Sequence, residues 1–279
     1  MKKIYQILLV SLLFLGTLSF NACDDNPDPA EPYGKVVFKF EHKINGADIQ
    51  FDKMVYKNDA GNDYEVSEIQ WFISDVVLHK TNGDTQLLNG WTFYHYIDTD
   101  IPSTQTWDVP DKIGIGEYKS VSFIFGFRGE KNEPYMFVNH PLSAMYWPSH
   151  LGGDEGGFHY LKLNGFWLME SNNYRRGYQY HLGVGQKQDS NLVRIKDANG
   201  SYIFVQNWFE ITLDNSSFTL AENGKKQITL RMNVENWFKN PNSYDFDYFG
   251  SETMEYQNAL QAIKENGVDV FSVSDISDL

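Results

Sequence analysis

Seven histidines and a single cysteine, Cys23, define the metal chemistry open to this 279-residue chain. His42, His95, His159 and His181 each fall in or at the end of a strand-like run. His140 and His150 stand in loop-like sequence, before and within the stretch MYWPSHLGGDEGGFHYLKLNGFW (145–167). Imidazole is the usual nitrogen ligand for copper and zinc, and neighbouring strands can bring together ligands that are far apart in sequence. His159, His181, His42, His95 and His140 are therefore the candidate metal ligands; the competing reading of each one alone is a hydrogen-bonded or surface imidazole. His79, beside Lys80 and a turn, reads as exposed. One cysteine allows no intrachain disulfide and no thiolate cluster, so a site must draw on histidine, carboxylate, amide or an aromatic-derived group. Two or three neutral imidazoles favour copper over magnesium or calcium. Because imidazole binds metal only when deprotonated, affinity is expected to fall as pH drops below the free histidine pKa of ~6.5.

The stretch 145–167 also holds Trp147. Aromatic residues make up 16% of the chain, a load that invites sugar stacking, but Trp71, Trp208 and Trp237 sit in alternating runs where burial is the simpler account. Trp147 differs. It is followed by Pro148, Ser149 and His150 and leads into GGDEGG, whose backbone freedom suits a loop wrapping a site. Asp154 and Glu155 in that loop are either hard oxygen ligands or a solvated tip. Asp98, Asp100 and Glu155 are the acids a hydrolase would use. No P-loop, G-x-S-x-G, H-E-x-x-H, EF-hand loop or dinucleotide fingerprint accompanies them. The chain therefore reads as a binding protein and not as an enzyme, with a surface glycan- or protein-binding module as the alternative to a metal protein.

These residues need elements to position them. Residues 1–22 have the plan of a secretory signal peptide, with Lys2 and Lys3 ahead of an apolar run, and Cys23 stands where a lipoprotein signal peptidase would leave it as the lipid-anchored first residue. Residues 23–34, including DDNPDPAEPYG, form an acidic, proline-rich tether that can neither continue a helix nor bury apolar area. Without residues 1–22, which carry two lysines and no acid, the formal charge moves from −14 to −16; such a chain repels nucleic acid and anionic lipid. Residues 35–279 form one domain. KVVFKFEH alternates, placing Val36, Phe38, Phe40 and His42 on one face. Further strand-like runs cover 68–80, 92–98, 118–127, 158–167, 178–184, 201–213 and 226–238, separated by turn sequences such as KTNGD, KDANG and AENGK. In the run 158–167, His159, Leu161 and Leu163 are expected to share a face. Eight strands with short links predict an all-β, antiparallel β-sandwich, closed by a short C-terminal helix in SETMEYQNALQAIKENG, with Tyr256, Leu260 and Ile263 at helical spacing and an acidic first turn.

The ordered succession EIQWFISDVVL, YHYIDTD, GEYKSVSFIFGF, MYWP running into GGFHYLKLNGFW, YQYHLGVG and NGVDVFSV resembles the MbnP-like family of copper-binding proteins in its Bacteroidota-type lipoprotein form, from about Lys35 to Val273. The resemblance implies a secreted or outer-membrane, all-β copper protein with no catalytic activity. It also implies an ion held by histidines together with a kynurenine made from one tryptophan. Trp147 in MYWP matches the tryptophan-bearing motif, His159 and His181 match recurrent histidines, and His42 and His95 match weaker ones. The implied partners are a di-haem, cytochrome-peroxidase-type (MbnH-like) protein that performs the oxidation and an outer-membrane TonB-dependent transporter; the implied location is the outer membrane, as a lipoprotein. This chain departs from the family pattern where relatives carry M-x-W-x-W: here Pro148 and Ser149 follow Trp147. The glycine turn before His159 is also expanded by Asp154 and Glu155.

Overall fold

The computed structural model describes residues 31–152 and 157–279. The expected signal peptide, Cys23, most of the tether, and Asp154 and Glu155 lie outside the described residues. Tyr33 and Gly34, placed by sequence in the tether, already belong to the first strand, β1 (Tyr33–Ile44). Its alternation does what the pattern requires: Val36, Phe38, Phe40 and His42 are all buried, whereas Lys39 is exposed.

Two sheets build the domain. In the smaller, β1 pairs on one side with β9 (Lys225–Asn233), which pairs in turn with the C-terminal strand β10 (Phe271–Asp278). Along the opposite edge of β1 runs the short β4 (Thr106–Asp108). The larger sheet centres on the 18-residue β2 (Asp63–Lys80), in the order β7 (Arg175–Leu182), β6 (Leu161–Leu168), β2, β5 (Gly116–Phe125), β8 (Phe209–Leu213), with β3 (Tyr94–Asp98) also paired to β2. Rings from both sheets interlock between the layers. Phe40 meets Trp71 edge-on at 5.6 Å, and Phe271 lies 5.2 Å from Trp71 and 5.4 Å from Phe125. Removing a ring of this size from water contributes roughly 1.5–3 kcal/mol, so this aromatic seam is what holds the sheets face to face.

The all-β sandwich with its short C-terminal helix, α2 (Gln257–Asn266), agrees with the sequence reading. Five details differ. The β1–β9 pairing is parallel, with Phe38 opposite Ile228 and His42 opposite Met232; the long chain between these strands supplies the crossover that parallel neighbours need. The expected strand over 226–238 ends at Asn233, because Val234, Trp237 and Phe238 are apolar at helical spacing and bury as a 3-10 turn. A one-turn helix, α1 (Phe246–Phe249), is capped by Asp245, whose side chain accepts from the Asp247 amide. Strand β10 escaped the pattern because SDISD is polar, as suits a sheet edge. Helix α2 buries Leu260 and Ile263 as expected, but its first turn carries no acid: Glu252 and Glu255 precede it.

The larger sheet is covered on its outer face as well. The segment after β5 folds back over it, and Phe127 and Phe137 pack 4.6 and 5.5 Å from Phe72, with Phe158 4.6 Å from Phe137. On the inner face of β7, Tyr180 packs 5.0 Å from Phe238. His181, next in sequence, must therefore point outward. The register places His181 beside Lys162, Lys162 beside Gln70, and Gln70 beside Asp98, a polar row across the outer face.

Candidate metal centre

His181 sits in that row, buried, with its ring 4.9 Å from that of His159 and nearly perpendicular to it. The two imidazoles reach each other from different elements. His159 precedes β6, held by an antiparallel bridge between Tyr146 and Phe158: its amide donates to the Met145 carbonyl at 2.7 Å, and the Trp147 amide donates to Gly157 O at 2.9 Å. The loop beginning MYWP and the residues before the strand thus form one short ladder. His159 does not share a face with Leu161 and Leu163. Those two turn into the sandwich, whereas His159 meets His181 on the opposite side, because regular pleating begins only at Leu161.

Hydrogen bonds decide which nitrogen of each ring is free. His159 Nδ1 lies 3.0 Å from the Met145 carbonyl. A carbonyl can only accept, so Nδ1 carries the proton and Nε2 keeps its lone pair. His181 Nε2 lies 2.8 Å from Asn164 Oδ1, while Asn164 Nδ2 donates to Glu68 Oε2 at 3.1 Å. The carboxylate fixes the amide, the amide oxygen fixes the imidazole, and the proton of His181 is on Nε2. His181 Nδ1 is then a buried lone pair with no hydrogen-bond partner. This arrangement, a ring N–H committed to a carbonyl or to an amide backed by a carboxylate and the other nitrogen bare, is how metal-binding histidines are oriented. Burial keeps both rings neutral: it pulls the His159 pKa down to about 3 and drives that of His181 well below the usual value, and the nearby Lys162 ammonium acts in the same direction on both. Burial thus places the pH at which protons compete for these two nitrogens below the ~6.5 of a free imidazole.

Trp147 is fully buried against this pair. Its ring lies 4.7 Å from that of His159, and its Nε1 donates to the Leu151 carbonyl at 3.1 Å. Gly183, two residues beyond His181, makes the room, for a Cβ there would stand 2.4 Å from Trp147 Cε3. A strap before α2 closes the other side. Gln179 N donates to Ser251 O at 2.7 Å and His181 N to Thr253 Oγ1 at 3.0 Å, which sets the Met254 sulfur 3.3 Å from His159 Nε2. His159, His181, Lys162, Asn164, Arg176 and Met254 line a groove of about 560 Å³ over these groups.

The other candidates lie elsewhere. His42 and His95 are between the sheets. His42 Nε2 accepts from Trp71 Nε1 at 3.0 Å. His95 is stacked between Phe40 and Trp107 at 5.5 and 5.3 Å, with Nε2 2.8 Å from the Thr104 carbonyl. Burial lowers both to a pKa of about 4. The sheet itself separates them from His181, so these two do not join the centre. His140 is exposed ahead of the turn Leu142–Met145 and also stays apart. His150 is exposed, 3.8 Å from Glu255. His79, read as exposed, is half-buried and lies 2.7 Å from Ser122 Oγ. Trp71 and Trp237 are core, while Trp208 is half-buried beneath the Arg128 guanidinium at 5.0 Å. Among the described residues Trp91, 87% exposed, is the tryptophan with a free face. Asp98 is buried, accepting from Gln70 Nε2 and the Tyr96 hydroxyl, with Glu68 and Asp100 nearby.

Sequence reasoning missed Asn164, Gly183 and Met254. Asn164 had a signal, since LKLN alternates and puts it on the polar face with Lys162. Met254 had none, for it reaches His159 across 95 residues of chain.

Among solved structures the fold is similar to MbnP from Methylosinus trichosporium, at 10% sequence identity and a TM-score of 0.46, over 88% of this chain and 98% of that one. No curated protein matches. The MbnP family model matches residues 33–255, from the first residue of β1 to the strap that carries Met254, and over that span the chain belongs to the MbnP family.

Proposed function

We propose that this protein binds a copper ion through His159 and His181 and handles it at the cell envelope without catalysing a reaction. The observation that carries the reading is the pair of buried, neutral imidazoles, rings 4.9 Å apart, each with one N–H committed and one lone pair free. Such a donor set suits copper, which heads the divalent affinity order for nitrogen ligands, and it agrees with the ligand type that the family resemblance implies.

Trp147 is the candidate modified ligand. Oxidative cleavage of its Cγ–Cδ1 bond, with a peroxide as oxidant and source of the two added oxygen atoms, would give N-formylkynurenine, and hydrolytic loss of Cδ1 as formate would leave Nε1 as an aniline nitrogen beside His159; a di-haem, MbnH-like partner is the proposed catalyst of the oxidation. Because Trp147 is sealed from solvent, the oxidising equivalents must reach it through the protein. Anchoring at Cys23 would hold the protein on the outer membrane, and a TonB-dependent transporter is the proposed recipient.

Metal analysis of the purified protein tests the reading. One copper per chain is expected, lost in His159→Ala and His181→Ala with the β-sheet circular dichroism retained; a folded protein that takes up no copper overturns it. Intact mass of protein made with the di-haem partner, compared with Trp147→Phe, tests the kynurenine.

A further inference from the structure

We infer that the loop carrying Trp91 is a membrane-facing tip, which seats the domain on a lipid surface with the Trp91 indole in the headgroup layer. This rests on the reading of Cys23 as a lipid anchor and adds what that reading leaves open, namely which end of the domain meets the bilayer.

The first observation is a large amphipathic side chain exposed in a fixed place. Trp91 is 87% exposed, and Leu87, four residues before it, 40%. The backbone between them is held. Asn89 N and Gly90 N donate to the two carboxylate oxygens of Asp111 at 3.3 and 3.0 Å, and Leu88 is buried with its amide on Val76 O at 2.8 Å. On the far side of the indole, Thr92 Oγ1 donates to Tyr94 O at 2.7 Å. Gly90 belongs to the design, for a Cβ there would stand 2.9 Å from Asp111 Oδ2. A loop ordered in this way loses little conformational freedom when its tip docks.

The second observation is where the anchored chain enters the fold. Tyr33 and Gly34, the first residues of β1, pair with Gly114 and Ile113. Asp111, which holds the Trp91 loop, is two residues from Ile113, and Lys35 Nζ fixes the same turn by donating to the Pro110 and Asp111 carbonyls at 3.1 and 3.3 Å. Gln86, beside Leu87, donates through Nε2 to Lys112 O at 2.8 Å and accepts from Gly114 N at 3.1 Å. Trp91, Leu87 and the start of β1 therefore belong to one end of the sandwich. Tyr33 follows Cys23 by ten residues, so at ~3.3–3.6 Å per residue an anchored chain keeps it within about 35 Å of the bilayer. Confinement of that kind raises the effective concentration of the surface and lets a weak second contact hold.

The third is charge. The chain as a whole carries −14, but this end is balanced: Lys35, Lys80 and Lys112 stand with Asp84, Asp111 and Glu117, with Lys80 Nζ on Ile115 O at 3.2 Å and Lys112 Nζ 4.6 Å over the Tyr33 ring. A neutral face with a projecting indole suits the membrane interface, where the apolar ring is buried and its N–H still finds a polar partner. Seated by this tip, the protein keeps its metal groove clear of the lipid. Gln70, in the row of His181, is seven residues along β2 from Val77, the partner of Leu87, a distance of roughly 20 Å.

The test uses the full-length protein reconstituted into zwitterionic phosphatidylcholine vesicles, with and without lipids brominated near the headgroup. The other six tryptophans are buried or half-buried, so quenching by brominated lipid reports Trp91. The expected result is lipid-dependent quenching of the wild-type emission that is lost in Trp91→Ala, while flotation shows both proteins still on the vesicles. Leu87→Ser should weaken the quenching. Intact mass reads acylation of Cys23 separately. An acylated, vesicle-bound protein whose emission is the same in brominated and plain lipid, with Trp91 open to aqueous iodide, overturns this inference, leaves the lipoprotein reading standing and gives the tip to a protein or glycan instead. A mature protein without an acyl group at Cys23 overturns both.

Discussion

Among the described residues three buried histidines and the half-buried His95 fall into two pairs on opposite faces of the larger sheet, and the contrast between them separates a structural imidazole from a candidate ligand. His42 and His95 lie between the sheets among Phe40, Trp71 and Trp107. One of them caps the indole N–H of Trp71 and the other is clamped as a ring between two rings, so each is used up by packing. His159 and His181 are as buried as His42, but each spends its N–H on an acceptor that orients it and keeps a lone pair next to a second imidazole. Burial and a lowered pKa are common to all four. The His95 N–H is committed to a carbonyl as well, but its ring faces are covered by Phe40 and Trp107; what distinguishes His159 and His181 is that each stands beside a second imidazole, 4.9 Å away, which is why depressed histidine pKa values alone are a poor guide to a metal site.

The sharpest way to break the comparison is to exchange roles. His159→Ala or His181→Ala should abolish stoichiometric copper, whereas His42→Ala should leave copper binding intact, as read by metal analysis. Next in size is Asn164→Leu, which frees the His181 tautomer without touching a ligand and should lower copper affinity by about 10–100-fold in a chelator competition. The interior pair should respond in stability instead. His42→Ala strands the Trp71 N–H in the core and should cost about 1–3 kcal/mol, and Gly183→Ala, which drives a Cβ into Trp147, should cost a similar 1–3 kcal/mol by overpacking; both are measured by denaturant unfolding.

Acid should act on the two functions differently. In the fold His42 and His95 have a pKa of about 4 and His159 of about 3, against ~6.5 in the unfolded chain. The unfolded state therefore binds more protons as pH falls, so the stabilising contribution is complete above ~6.5 and lost progressively below it. Unfolding midpoints should drop from pH 7 to pH 5, while copper affinity of the still-folded protein stays near its neutral value. A fall in affinity that tracks ~6.5 instead would show that the imidazoles are open to water. The smallest effect is expected for His140→Ala and His150→Ala, both exposed, within about 0.5 kcal/mol in stability and without consequence for copper.

How far the fold was legible follows from where period and burial agree. Val36, Phe38, Phe40 and His42 could be assigned to one face from alternation alone, and so could the central run 68–80, because half-buried strands write their geometry into the chain at a period of two. The breaks were less readable. Val234 to Phe238 looked like strand until its apolar residues proved to be three and four apart, and β10 is an edge strand whose polar SDISD carries no apolar alternation. At the centre, the sequence named His159, His181 and Trp147, by motif and not by geometry, and named beside them His42, His95 and His140, which the fold places elsewhere. His159 was even given the wrong face, since pleating begins two residues later.

From sequence alone came the sheet class, the strand order along the chain, the tryptophan loop and a nitrogen-rich donor inventory, all properties of local pattern or of residue type. Tertiary structure alone decided that two imidazoles meet outside the sandwich while two others pack between its sheets. It likewise decided that Asn164 orders a proton and that a methionine 95 residues away stands against His159. The physical reason is that a side chain's face follows from its neighbours in sequence, whereas its partners depend on sheet register and on where a strap of irregular chain docks, and neither leaves a periodic trace.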